Sequence, residues 1–131
     1  MKVLVAHSSL PMRSSLLKML SGMEAISMII ITDNFTEMLN NVNRYRPELL
    51  IFEYCLSNGD CEKALRQIAS AAKQSKKVVL VSRQLAPEAL ERLKAMADVW
   101  LDPAGNPEGI QKAVEGILRD QSSSSGTGKC N

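Results

Sequence analysis

The sequence predicts a doubly wound α/β fold in three layers, a five-stranded parallel sheet in the order 2-1-3-4-5 with helices on both faces. Three observations lead there. Short, unbroken apolar runs, of which Leu49-Leu50-Ile51-Phe52 is the clearest, suit strands covered on both faces, as strands of a parallel sheet are. Segments with apolar residues at helical spacing lie between these runs, so strand and helix alternate along the chain. The connections are short, and right-handed crossovers of that length stack helices on both sides of a sheet. A chain of 131 residues, 45% hydrophobic and 23% charged, is long enough for one domain with a real core and too short for two ordinary ones.

The elements follow in order. Lys2-Val3-Leu4-Val5-Ala6 reads as a buried strand, ended by His7-Ser8-Ser9. Leu10-Pro11 then opens a helix, capped by Ser8 or Ser9, whose inner face is Met12, Leu16, Met19, Leu20 and Met23, with Gly22 at its end. Ile26 to Ile31 is the second strand, closed by Thr32-Asp33. Asn34 with Glu37 fits a capping box for a helix with Phe35, Met38, Leu39 and Val42 inside, and Pro47 ends that connection. Leu49 to Phe52 forms the central strand, which stops at Glu53 and passes through Tyr54, Cys55 and Leu56 into the turn cluster Ser57-Asn58-Gly59-Asp60. Asp60 caps a helix built on Ala64, Leu65, Ile68 and Ala72. Val78-Val79-Leu80-Val81 makes the fourth strand, ending at Ser82-Arg83. Pro87 begins a helix facing inward through Leu90, Leu93 and Met96, and Val99-Trp100-Leu101 is a brief fifth strand before Asp102-Pro103. Asn106-Pro107-Glu108 caps the last helix, packed through Ile110, Val114, Ile117 and Leu118. From Gln121 the run SSSSGTGK has nothing to bury and reads as a flexible tail or the stump of a linker, leaving residues 1–120 as the domain. The strand order is the flavodoxin-like one. It makes the first and third strands neighbours, so that His7, Ser8 and Glu53 meet at the carboxyl edge, the usual ligand-binding edge of such sheets, with Ser82 and Asp102 arriving from the fourth and fifth strands.

Composition narrows the function. A formal charge of +2 and scattered cations give no nucleic-acid patch; the one knot, Lys73, Lys76 and Lys77, reads as a solvated helix end, where cations suit the dipole. Ile26 to Ile31 falls far short of the roughly 20 residues a membrane span needs, and no apolar leader precedes Met1 to Ala6, so a cytoplasmic location is expected. Three cysteines, Cys55, Cys61 and Cys130, without a C-x-x-C spacing argue for reduced thiols rather than a disulfide framework or a zinc site. Cys55 and Cys61 flank the loop after the central strand, and small apolar packing is the usual role of such residues.

Nearly all of Met1 to Arg119 resembles the receiver domain of bacterial response regulators. KVLVAHSSLPMRSSL is similar to that family's opening strand, acid pair and Arg-containing helix, and PELLIFEYCLSNGD to its proline, central strand, phospho-accepting aspartate and following loop. VVLVS resembles the fourth strand with its Ser/Thr; ADVWLDP and NPEGIQKAV resemble the fifth strand, the Lys-Pro turn and the final helix. The resemblance places His7 and Ser8 at the acid-pair positions, Glu53 at the phosphoacceptor, Ser82 at the Ser/Thr position, Asp102 at the lysine position and Trp100 near a switching aromatic. Of the family's chemical groups it keeps only Ser82.

Each departure has a physical consequence. Magnesium wants hard oxygen ligands, so an imidazole and a hydroxyl in place of two acids remove most of what would hold it, and neither a metal nor a cofactor is expected. Glu53 carries its carboxylate one methylene beyond where an aspartate would attack, and phosphoryl transfer depends on position. That extra length either imitates a phosphorylated aspartate or is a tolerated acid at an idle site. Asp102 adds negative charge where an anion needs a cation. His7, the sole histidine, lacks a nucleophile-and-base spacing and reads as a hydrogen-bonded structural group partnering Glu53. Trp100 reads as filling the space between the fourth and last helices. No residue is assigned a catalytic role.

The expected function is that of a degenerate, phosphorylation-independent receiver, a protein-interaction module in two-component (phosphorelay) signalling. It would act on a protein partner, with a homodimer through the fourth helix, fifth strand and fifth helix as the surface the resemblance implies. The alternative is a flavodoxin-like cofactor or phosphate binder using Ser8, Ser9, Ser14 and Ser15. That loop has no glycine to let a phosphate approach, and Pro11 removes an amide.

Overall fold

The computed structural model describes residues 1–56, 60–81, 85–102 and 107–127, the side chains of 107 and 121–127 excepted. The chain alternates strand and helix throughout: β1 (Lys2–Ala6), α1 (Leu10–Ser21), β2 (Met28–Thr32), α2 (Phe35–Tyr45), β3 (Leu49–Glu53), α3 (Cys61–Ala71), β4 (Lys76–Leu80), α4 (Pro87–Met96), β5 (Val99–Leu101) and α5 (Pro107–Thr127). All strand pairs are parallel, and the sheet order is β2-β1-β3-β4-β5, as expected. The register that matters most aligns Val3 with Leu49 and Ala6 with Phe52, so β1 and β3 end side by side.

Alternation along each strand divides the core into two layers. Leu4, Ala6, Leu50, Phe52 and Val79 point to one face, where they meet Met38 and Val42 of α2, Leu65 and Ile68 of α3 and Leu93 of α4. Val3, Val5, Leu49, Ile51, Val78 and Leu80 point to the other, against Leu16 and Leu20 of α1 and Ile110, Val114 and Ile117 of α5. Period-two side-chain direction thus turns an unbroken apolar run into two cores. The caps are set by short polar side chains: Ser9 Oγ accepts the Met12 N–H, Asn34 Oδ1 the Glu37 N–H, and Asp60 Oδ1 the N–H groups of Glu62 and Lys63.

Four expectations are corrected. Ile26 belongs to the turn after α1, because its N–H bonds back to the Met23 carbonyl, and β2 starts at Met28. Lys76 and Lys77 do not close a helix; they open β4, and Lys77 is only 5% exposed, its Nζ donating to the Ser75 carbonyl and its N–H to Asp98 Oδ2. Cys55 and Cys61 are not two separate thiols but are joined by a disulfide, with Cys55 in a left-handed backbone conformation (φ 67°). Finally, the α5 backbone stays helical to Thr127, through the first seven residues read as tail. Serine is a mediocre helix former, but a helix already nucleated on a packed face propagates at little cost. Asn106, expected to cap α5, lies outside the described residues, as do Ser57, Asn58 and Gly59.

Candidate functional site

The carboxyl edge of β1 and β3 assembles the site. The His7 N–H is tied to the Thr32 carbonyl at the end of β2, and the Tyr54 N–H to the Leu80 carbonyl of β4, so the residues on either side of the β1–β3 junction are held by the sheet itself. Glu53, last in β3, turns its Oε1 toward the loop after β1 and accepts the Ser8 N–H at 3.0 Å. His7 Nδ1 stands 3.8 Å from that oxygen, close enough for electrostatic attraction and too far for a hydrogen bond. The hydrogen bond of Nδ1 is with the Ser9 N–H instead, at 3.0 Å. Two successive amides after β1 are therefore taken by two side chains, Ser8 by Glu53 and Ser9 by His7.

Arg13, one turn into α1, completes the arrangement by donating from Nη1 to the His7 carbonyl at 2.8 Å. In the sequence Arg13 figures only as the arginine of the first helix; the signal for its role is a cation one helical turn beyond an N-cap. His7 is 8% exposed, and its basicity is lowered chiefly by burial, opposed by the attraction of Glu53 and reinforced by the Arg13 charge. Since Nδ1 accepts a hydrogen bond, it carries no proton, and the neutral ring is the form that fits. Among the described residues no group of three or more His, Cys, Asp or Glu side chains is placed to hold a metal ion. The cavity beside Glu53, bordered by Phe52, Cys55, Leu56 and Cys61, measures about 10 Å³, enough for about one water.

The remaining site residues fall elsewhere. Ser82 lies outside the described residues. Asp102 follows β5 and is exposed. Trp100 does not fill the space between α4 and α5 as expected: it is 37% exposed, and Lys94 Nζ of α4 sits 5.8 Å from its ring centroid. In a three-residue edge strand with Val99 and Leu101 directed toward the α5 layer, the intervening side chain emerges on the α4 side. No helix among the described residues is long and apolar enough to cross a membrane.

Neither the protein-family models nor the curated proteins yield a match to this sequence. Solved structures do. The isolated REC domain of RcsB from Salmonella enterica serovar Typhimurium, in the presence of phosphomimetic BeF3-, superposes with a TM-score of 0.78 over 91% of this chain and 88% of its own, at 18% identity. A CheY-like receiver domain protein from Methanospirillum hungatei JF-1 gives 0.78 over 93% and 96%, at 16% identity. The response regulator domain of Thermotoga maritima CheB gives 0.72 over 92% and 94%, also at 16%. The fold is that of a receiver domain. In a longer RcsB response regulator from Salmonella typhimurium, the same match spans 60% of that chain. At these identities the receiver likeness is one of architecture, and the chemistry has to be argued from the residues at the strand ends.

Proposed function

We propose that this chain is a degenerate receiver domain, working without phosphorylation as a protein-interaction module in two-component-type signalling. The observation that carries the proposal is the closed hydrogen bonding at the receiver site. Glu53, at the phosphoacceptor position, is engaged by the Ser8 N–H, and the acid-pair positions hold an imidazole and a serine, one of them buried and bonded to the Ser9 N–H. An imidazole and a hydroxyl at the acid-pair positions leave Glu53 as the one carboxylate among these three residues, too few hard, charged oxygens for magnesium, and the phosphoryl reaction relies on that charge neutralisation and on placement of the nucleophile. Asp102 adds an acid where the resemblance places a lysine. The domain has no catalytic residue in this reading, and the carboxylate of Glu53 stands in for the phosphorylated state or sits at an idle site.

The partner surface in this reading is α4, β5 and α5, where Trp100 and Lys94 are exposed together, and a second copy or another signalling protein docks there. The chemical alternative, phosphate or cofactor binding at the serine loop, is disfavoured because the Ser9 N–H and Oγ are both engaged, by His7 and by the Met12 N–H. The test is incubation with a small acyl phosphate and magnesium, read by intact mass and by Trp100 fluorescence. The expected result is no phosphoryl adduct and no fluorescence change. Magnesium-dependent phosphorylation that is lost in Glu53→Gln would overturn the proposal and restore an ordinary phosphorelay role.

A further inference from the structure

The Cys55–Cys61 bridge lies outside everything the receiver reading uses. The two residues are six apart in sequence with their Cα atoms 4.5 Å apart, within the span native disulfides occupy. Cys55 comes two residues after Glu53, in a left-handed backbone conformation (φ 67°) that is uncommon for a non-glycine residue. Cys61 is the first residue of α3, directly after the Asp60 cap, so its sulfur sits at the start of the helix next to the chain leaving β3. Both are half-buried, so a small thiol can reach them. The elements they join are anchored independently: β3 through the Tyr54 N–H to Leu80, and α3 through the Asp60 cap and the burial of Ala64, Leu65 and Ile68. The bond therefore ties the residue two after β3 to the first residue of α3, at the edge of the core layer against which both cysteines pack.

We propose that Cys55 and Cys61 form a reversible thiol–disulfide couple, a redox modification site that fixes or releases the β3–α3 connection beside Glu53. The oxidant class is a low-molecular-weight disulfide such as glutathione disulfide. The Cys61 thiolate attacks one of its sulfurs, forming a mixed disulfide and expelling one glutathione thiolate. The Cys55 thiolate then attacks Sγ of Cys61, forming the internal bond and expelling the second. Two electrons pass from the protein to glutathione disulfide, and the two thiol protons end on the two glutathione molecules. Reduction by glutathione runs the same steps backward. When oxidised, Cys55 is pinned to the first turn of α3; when reduced, its backbone is free to leave the left-handed region, and the surface flanking Glu53 changes shape.

The test uses the full chain and its Cys130→Ser variant, equilibrated in glutathione buffers from fully reduced to fully oxidised, acid-quenched and alkylated. Intact mass and peptide mapping should show one reversible transition of Cys130→Ser between two alkylated thiols and none, with the Cys55 and Cys61 peptides cross-linked at the oxidised end. Amide hydrogen exchange of the peptide ending in α3 should quicken on reduction while β1 and α5 stay unchanged. Cys55→Ser and Cys61→Ser should exchange at the reduced rate in every buffer. Three results would each overturn the couple: thiols that stay alkylated in glutathione disulfide, a bridge that resists millimolar glutathione in the folded protein, or a stable mixed disulfide in place of the internal bond. Exchange that is identical in both redox states would overturn control of the connection. None of these depends on whether Glu53 accepts a phosphoryl group.

Discussion

Protonating His7 sacrifices the bond its Nδ1 accepts from the Ser9 N–H and places a charge in a largely buried position beside Arg13, and the attraction of Glu53 only partly offsets this. The folded-state pKa thus lies below the ordinary histidine value of 6.5. The unfolded chain then binds more protons in the window just below that value, and stability rises with pH there. The contribution is fully present above pH 6.5 and is lost as pH falls from 6.5 through the lower folded value. Urea unfolding at pH 7.5 and 5.5 should show a steeper loss of stability in the wild type than in His7→Gln, whose other titrating groups are the same. Equal losses in both proteins would show that the imidazole has no part in the acid response. The meeting of His7 with Glu53 was legible from the strand order alone, since both end adjacent parallel strands. The split of the two amides between them was not, because it depends on which way the loop turns after β1, and no residue type dictates that.

At the scale of the elements, β4 shows where pattern reading fails. Strands β1 and β3 are visible as apolar runs, but β4 begins with two lysines, and a charged pair following α3 reads as a helix end. What places Lys76 and Lys77 in the sheet is backbone pairing, with the Lys76 N–H on the Glu48 carbonyl and the Asp98 N–H on the Lys77 carbonyl, and the Asp98 carboxylate in turn accepts the Lys77 N–H. Burial lowers the Lys77 pKa, with Asp98 opposing and Lys76 reinforcing the shift. A buried cation held by one carbonyl is weak support for a fold, since a well-packed apolar residue of similar length avoids its desolvation. Lys77→Met should therefore unfold at pH 7 within about 1 kcal/mol of the wild type or more stably. Because the folded pKa is the lower one, wild-type stability should gain on the variant as pH rises toward 10.5, a trend that denaturant titration would read directly. A loss of several kcal/mol in Lys77→Met would mean that the ammonium group is a required partner of the Ser75 carbonyl. The Cys55 turn was equally hidden: a six-residue spacing matches no cysteine motif, and a cysteine at positive φ has no sequence signature.

The whole molecule follows from two-sided burial, which is why the sheet order and layers could be read before any coordinates, whereas the length of α5 could not. From Gln121 to Lys129 the chain has no apolar side chain, so although its backbone is helical to Thr127 it has nothing to add to the core. Truncation after Asp120 should shift the Tm by less than about 2 °C, and a larger drop in a thermal melt would show that the segment docks. In the proposed degenerate-receiver reading, the residues at the strand ends behave as a unit in the same sense. Glu53→Asp alone restores a nucleophile and leaves no magnesium ligands, so acyl phosphate with magnesium should still give no adduct. His7→Asp, Ser8→Asp, Glu53→Asp and Asp102→Lys together rebuild the acid pair, the acceptor and the cation, and any phosphorylation should appear only with the full set, because groups that act on one transition state are strongly non-additive. The set also removes the Nδ1 acceptor of the Ser9 N–H, so a melt of the quadruple variant must accompany the mass measurement. A folded quadruple variant that takes up phosphate while the single variant does not is the expected result. Uptake by Glu53→Asp alone would mean that the remaining residues already bind magnesium, contrary to the chemistry of an imidazole and a hydroxyl at the acid-pair positions.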